Sequence, residues 1–171
     1  MQKAINRGFT LIELLVVIAI IGILASIVLV SLGSARSKGA DAGIQGNLNG
    51  IRTQAEIYYG NQNPNTYGVQ AGATAASGSS CGAAGIWTDA TIAQATKSAS
   101  SQGGTATLNA VANQSVVCGS SASSWFVAVP MKADTTSAWC VDSAGKAQKS
   151  TLTNLASAAQ VTSAISSGCP N

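Results

Sequence analysis

Residues 9–32 read FTLIELLVVIAIIGILASIVLVSL, a run of 24 positions whose single charge is Glu13. As a helix this run is about 36 Å long at ~1.5 Å per residue. The hydrocarbon core of a bilayer is roughly 30 Å thick, so the run is long enough to cross it. Lys3 and Arg7 lie ahead of the run in MQKAINRG, and Arg36 and Lys38 follow it. Cations on both sides leave the orientation unsettled by the positive-inside rule.

Three readings compete for this segment. A secretory signal peptide has an apolar core of about 7–15 residues ahead of a small-residue cleavage site. Gly33-Ser34-Ala35 offers such a site, but the run before it is too long. A plain membrane anchor fits the length and leaves Glu13 unexplained, because a carboxylate facing lipid is costly, less so near the interface. The third reading rests on the junction Gly8-Phe9-Thr10-Leu11-Ile12-Glu13. A short basic leader ends in Gly8, Phe9 follows, Glu13 comes four residues later, and the apolar run continues unbroken. This pattern resembles the N-terminus of type IV pilins and pseudopilins.

The resemblance implies that prepilin peptidase cuts between Gly8 and Phe9, and that the new amine of Phe9 is N-methylated. Residues 1–8 are then a leader, 9–60 a long N-terminal helix with 9–32 its transmembrane and assembly part, and 61–171 a globular head. Glu13 lies one helical turn beyond Phe9. In a bundle of parallel helices it can pair with the Phe9 amine of a neighbouring subunit. A charge pair in low dielectric is costly to break, because the survivor is left unpaired. The pair therefore sets axial register more than it adds stability. Many pilins carry a helix-breaking Gly and a Pro in this run. Here Gly22 is present and no Pro occurs in 9–32; the resemblance implies local melting near Gly22, and the missing Pro departs from the family pattern that sets its extent.

The helix continues through GSARSKGADAGIQGNLNGIRTQAEIYYG, residues 33–60. Ile44, Leu48, Ile51, Ala55 and Tyr58 recur at spacings of four and three, which is one amphipathic face. Gly60-Asn61 and Asn63-Pro64 stop it, giving a helix on the order of 75 Å from Phe9 to about Tyr59. Its second half is expected to pack Ile44, Leu48, Ile51 and Ile57 onto the head. Gly39, Gly43, Gly46 and Gly50 form a second stripe. Each interior Gly costs about 1 kcal/mol relative to Ala. The stripe reads either as a smooth seam for close approach of another backbone or as a weak helix that frays.

For the head, the sequence predicts an α+β unit: a small antiparallel sheet of three or four strands packed on the long helix, as in the pilin fold. Residues 61–80 read as a surface loop. Thr88 or Asp89 is placed to cap a helix over about 89–100. Strands are expected at Ser124–Met131, at Ser137–Asp142 and near Lys146–Leu152. Trp125, Phe126 and Trp139 read as core or sheet-face residues. The cysteines are Cys81, Cys118, Cys140 and Cys169. They form no CxxC pair and there is no His, so no metal site is expected. Four cysteines in an exported domain read as two disulfides, and sequence alone allows three pairings. The expected pairing is Cys81–Cys118 with Cys140–Cys169. The second of these resembles the disulfide-bounded C-terminal region of many pilins.

Composition narrows the function classes. The chain has 171 residues, 46% hydrophobic and 9% charged, with a net charge of +3. Globular proteins average about 25% charged residues, so an ordinary cytosolic enzyme is disfavoured. With no His and six Asp plus Glu, general acid–base pairs are scarce, and neither catalysis nor a cofactor is expected. The resemblance implies a structural subunit, stored in the inner membrane as a prepilin and then polymerised into an extracellular type IV pilus filament. Such filaments serve adhesion, twitching motility or DNA uptake. The implied partners are other pilin subunits, prepilin peptidase and the assembly machinery of the inner membrane. Alternatives are a minor pilin, a secretion pseudopilin and a DNA-binding competence pilin. The major pseudopilin of secretion systems lacks disulfides and binds calcium, whereas the last 22 residues here hold no Asp or Glu. Nucleic-acid binding has weak support. Loss of the leader removes Lys3 and Arg7, leaving 7 − 6 = +1, and Lys146 with Lys149 make only a small basic patch. Asn113-Gln114-Ser115 matches an N-glycosylation tripeptide, a pattern that also arises by chance.

Overall fold

The structure is a computed structural model that describes residues 9–76, 78–82, 84–108, 111–155 and 157–170. Gly8 and the rest of 1–8 lie outside the described residues. The chain divides into two units, with the boundary between Arg36 and Ser37. Helix α1, Leu11–Gly60, contributes to both.

The described part of the first unit is the apolar half of α1. Its large side chains are all exposed, from 47% at Val16 to 81% at Leu11. An uninterrupted apolar surface of this length is not stable in water and marks a lipid or protein partner. By length and composition the helix can cross a membrane, with a mean hydropathy of 3.1 in its most apolar window.

The second unit is the head, and the amphipathic half of α1 belongs to it. Asp41, Ile44, Leu48, Ile51 and Ala55 are buried there, and Tyr58 packs partly buried against the same core. Ile57 departs from expectation: it is 51% exposed. At ~100° per residue it sits about 240° around the helix from Ile51, off the buried stripe. The glycine stripe is mostly open. A Cβ at Gly39, Gly46 or Gly50 meets nothing within 4 Å, and only at Gly43 does the Gln102 side chain stand in the way.

The head contains a six-stranded antiparallel sheet, more than the expected three or four strands. The strands are β1 Gln70–Ala76, β2 Ala106–Leu108, β3 Val111–Ser120, β4 Trp125–Pro130, β5 Ser137–Asp142 and β6 Ala147–Thr151. Their order is β1-β3-β4-β5-β6, and β2 also pairs with β3. The three expected strands are β4, β5 and β6. The additional ones, β1 above all, lie in Ala-, Gly- and Ser-rich sequence. QAGATAA has no aromatic residue and its one β-branched residue is Thr74, so it lacks the composition that marks a strand. Pairing with β3 makes it one, with Ala75 opposite Val116 and Ala73 opposite Cys118.

Both faces of the sheet are covered. On one face Val116, Cys118, Trp125, Val127, Val129 and Val141 meet the buried stripe of α1. Trp87, from a short 3-10 helix at Gly85–Thr88, and Ile92 and Ala99, from helix α2 at Ala90–Gln102, complete that layer. On the other face Val117, Phe126, Ala128, Ala138 and Cys140 pack against Leu155, Val161, Ala164 and Cys169. Val161 and Ala164 belong to helix α3, Ala158–Ser167. Every residue of β4 is therefore buried, and its apolar sequence runs without alternation, as a strand covered on both sides requires.

The cysteines pair as Cys81–Cys118 and Cys140–Cys169, with Cα–Cα distances of 5.9 and 5.8 Å. One bond closes each face of the sheet. They enclose separations of 37 and 29 residues, each worth about 3.5–4 kcal/mol in the chain-entropy model.

Candidate assembly segment and the polar fastenings of the head

The N-terminal segment begins with Phe9, which is 85% exposed. Glu13 has a partner within its own chain. Its Oε2 accepts from the Thr10 backbone N–H and from Thr10 Oγ1, both at 2.8 Å, and the Glu13 N–H donates to Thr10 Oγ1 at 3.3 Å. This is a capping box, in which Thr10 and the residue three positions later satisfy each other's backbone donors. It fixes the start of α1 at Leu11, two residues after Phe9. The Thr-x-x-Glu spacing ahead of an apolar run carries that signal in the sequence, where the pairing of Glu13 with Phe9 of a neighbour draws attention away from Thr10. Gly22 lies inside α1, where a Cβ would meet nothing within 4 Å. Glycine is thus not required there by packing within the chain.

In the head, all five carboxylates accept hydrogen bonds from the chain itself. Asp41 on α1 is 5% exposed. It accepts from the Lys132 backbone N–H at 2.6 Å and from that of Ala133 at 3.2 Å, fastening the β4–β5 loop to the helix. Glu56 accepts from the Tyr67 hydroxyl at 2.7 Å. Burial and this carboxylate push the Tyr67 phenol up to about 12. Asp89 caps α2 by accepting from the N–H groups of Thr91 and Ile92 at 2.9 and 3.0 Å. Asp134 pairs with Lys149 at 2.6 Å. That ammonium, with help from Thr136 and Ser137, holds the carboxyl below its usual range.

Asp142, 1% exposed, ties the end of β5 to the C-terminal segment. One oxygen accepts from Lys146 N–H at 2.9 Å, the other from Cys169 N–H at 2.7 Å. Gly168 has φ +80°, and a Cβ there would collide with Asp142, so this approach needs glycine twice over. Lys146 Nζ donates to the Cys169 carbonyl at 3.2 Å, and Ser150 Oγ donates to the Pro170 carbonyl at 2.5 Å. The two lysines of the expected basic patch are thus engaged within the chain, Lys146 with this carbonyl and Lys149 with Asp134.

Trp125 and Phe126 are buried, on opposite faces of β4, and Trp139 is partly buried. Trp87 and Trp125 meet edge to face with centroids 6.4 Å apart. A notch of about 290 Å³ opens beside α1, lined by Asn49, Arg52, Thr53, Glu56, Asp142 and Ser143 among others. Its two carboxylates are already used by Tyr67 and by the Lys146 and Cys169 amides.

A model of the prokaryotic N-terminal methylation motif matches residues 3–29. The chain carries this hallmark of type IV pilin and prepilin-like proteins, on a segment whose described large apolar side chains, from Phe9 onward, are exposed. It is a motif of structural, pilin-type precursors, and it implies processing by a peptidase. No curated protein and no solved structure was found to match the chain.

Proposed function

We propose that this protein is a structural subunit that polymerises into a type IV pilus filament through its apolar N-terminal helix. The observation that carries the proposal is the methylation motif on a helix whose apolar side chains find no cover within the chain. In this reading the precursor waits in the inner membrane, prepilin peptidase cuts between Gly8 and Phe9, and the Phe9 amine is methylated. Assembly then moves the helix from lipid into a bundle of like helices, an exchange between two apolar surroundings. Glu13 pairs across subunits with the Phe9 amine of a neighbour, and Gly22 supplies a weak point in the helix. The heads form the outside of the filament. Thr10 already holds Glu13 Oε2, so the register pair draws on the remaining oxygen or displaces Thr10.

Mass spectrometry of filaments sheared from cells tests this. The expected product begins at N-methylated Phe9 and contains both disulfides. A chain that retains Met1, or that begins after Ala35, overturns the reading. The same sample separates a major from a minor subunit by abundance. A salt-dependent DNA shift with assembled filaments would favour the competence reading instead.

A further inference from the structure

We infer that Asn113 is an attachment site for an N-linked oligosaccharide, read as Asn113-Gln114-Ser115 while the head is still unfolded; this rests on the proposed function, in which the head is carried across the membrane. The tripeptide is the one Asn-x-Ser/Thr sequence in the chain, and by itself it is a weak signal. The fold adds an observation at each end of it. Asn113 is exposed, although it lies within β3. From Gln114 to Val111 this strand advances three residues, while β2 opposite advances two, from Ala106 to Leu108. The extra residue makes a bulge, which takes a side chain out of the ladder. Asn113 within it has φ +58°, a conformation that Asn adopts more readily than most residues. A bulky group on its amide therefore meets solvent in the finished head.

Gly or Asp would suit the same backbone, so the bulge explains why Asn113 is tolerated and not why a hydroxyl follows two residues later. Ser115 is the opposite case. It is fully buried, and its Oγ has no hydrogen-bond partner. A buried hydroxyl left unpaired is destabilising, and Ala would serve the fold better. Ser120 Oγ is unpaired as well, but Cys118 stands two residues before it, so only Ser115 completes an acceptor. In the unfolded chain the Ser115 hydroxyl and the Asn113 amide together define that acceptor. Transfer thus precedes the pairing of β3 with its neighbours. Folding then hides the hydroxyl and displays the modified Asn113. In the transfer the Asn113 amide nitrogen bonds to the anomeric carbon of a lipid pyrophosphate-linked oligosaccharide. The bond from that carbon to the pyrophosphate oxygen breaks, the amide gives up one proton, and the lipid pyrophosphate leaves. Nothing is oxidised or reduced.

The chain is recovered from the cells that make it, and its digest is read by mass spectrometry with electron-transfer fragmentation. The expected result is a glycan mass located on Asn113, lost in both Asn113→Asp and Ser115→Ala. Both variants should keep Cys81–Cys118 and Cys140–Cys169. They should melt no lower than the parent made without the glycan, because Asp tolerates the bulge and Ala removes an unpaired hydroxyl. Bare Asn113 in the parent overturns the site, whether or not the variants fold. A glycan that persists in Ser115→Ala overturns it too. The same digest reads the N-terminus. A chain that begins at Phe9 with bare Asn113 overturns the site alone. A chain that retains Met1 and carries the glycan on Asn113 overturns the filament reading alone.

Discussion

Tyr67 shows how a single buried hydroxyl links two elements of the head. Its bond to Glu56 joins the segment before β1 to α1, and its ring lies 4.6 Å from that of Tyr59. Folding raises the phenol from 10.0 to about 12. The folded state therefore keeps a proton that the unfolded state releases in this interval. The stabilisation is complete below pH 10 and is lost as pH rises toward 12. Tyr67→Phe should cost about 1 kcal/mol at neutral pH, and the difference in melting temperature from the parent should shrink above pH 10. Asp134 behaves in the opposite sense. Its carboxyl is held down by Lys149, so its contribution is present above pH 3.8 and declines as the solution is acidified below that value. Lys149→Gln should flatten that decline in an acid titration followed by circular dichroism. At this scale the sequence was informative where chemistry is local. Asp89 precedes a helix and reads as its cap. Asp41 and Asp142 do not announce themselves, because their partners lie at Lys132 and Cys169, far along the chain.

The elements were legible in proportion to the strength of their own patterns. The stripe Ile44, Leu48, Ile51, Ala55 is strictly periodic, and α1 buries all four. Strands β4 and β5 are dense in aromatic and β-branched residues and stand within a residue of the expected limits. Strands β1 and β3 draw their identity from each other, through a ladder that runs from Gln70 opposite Ser120 to Ala76 opposite Gln114, far apart in the sequence. Helix α3 is hard to read from sequence because its capping box, Ser157 with Gln160, opens a segment rich in Ala, Ser and Thr with little hydrophobic contrast. Helix α2 invites a test of its cap. Asp89→Ala removes the Oδ1 that accepts from the Thr91 and Ile92 N–H groups and the Oδ2 that accepts from Gln54. It should cost about 1 kcal/mol, with most of the loss restored by Asp89→Ser. Thermal unfolding of the three proteins measures this.

At the scale of the whole molecule, the two halves of α1 answer to different solvents. The head half is covered by its own sheet, and the apolar half is left for lipid or for other subunits. Glu13→Ala should leave membrane insertion intact, as measured by carbonate extraction, and abolish sheared filaments. If filaments form normally, the register role of Glu13 is wrong. Replacing Cys81 and Cys118 together by Ala should destabilise the head by about 2–5 kcal/mol, seen as a lower midpoint in urea. The placement of the two cystines on opposite faces also gives the oxidation of the chain a chronology. Each oxidation event seals its own side of the sheet, Cys81–Cys118 beneath α1 and Cys140–Cys169 beneath α3. A half-oxidised precursor thus exists in two distinguishable forms. The form with Cys140 and Cys169 still reduced has its α1 layer locked while its C-terminal layer remains open to exchange with other thiols. The order in which the cell's oxidants reach these pairs decides which side of the subunit is finished first.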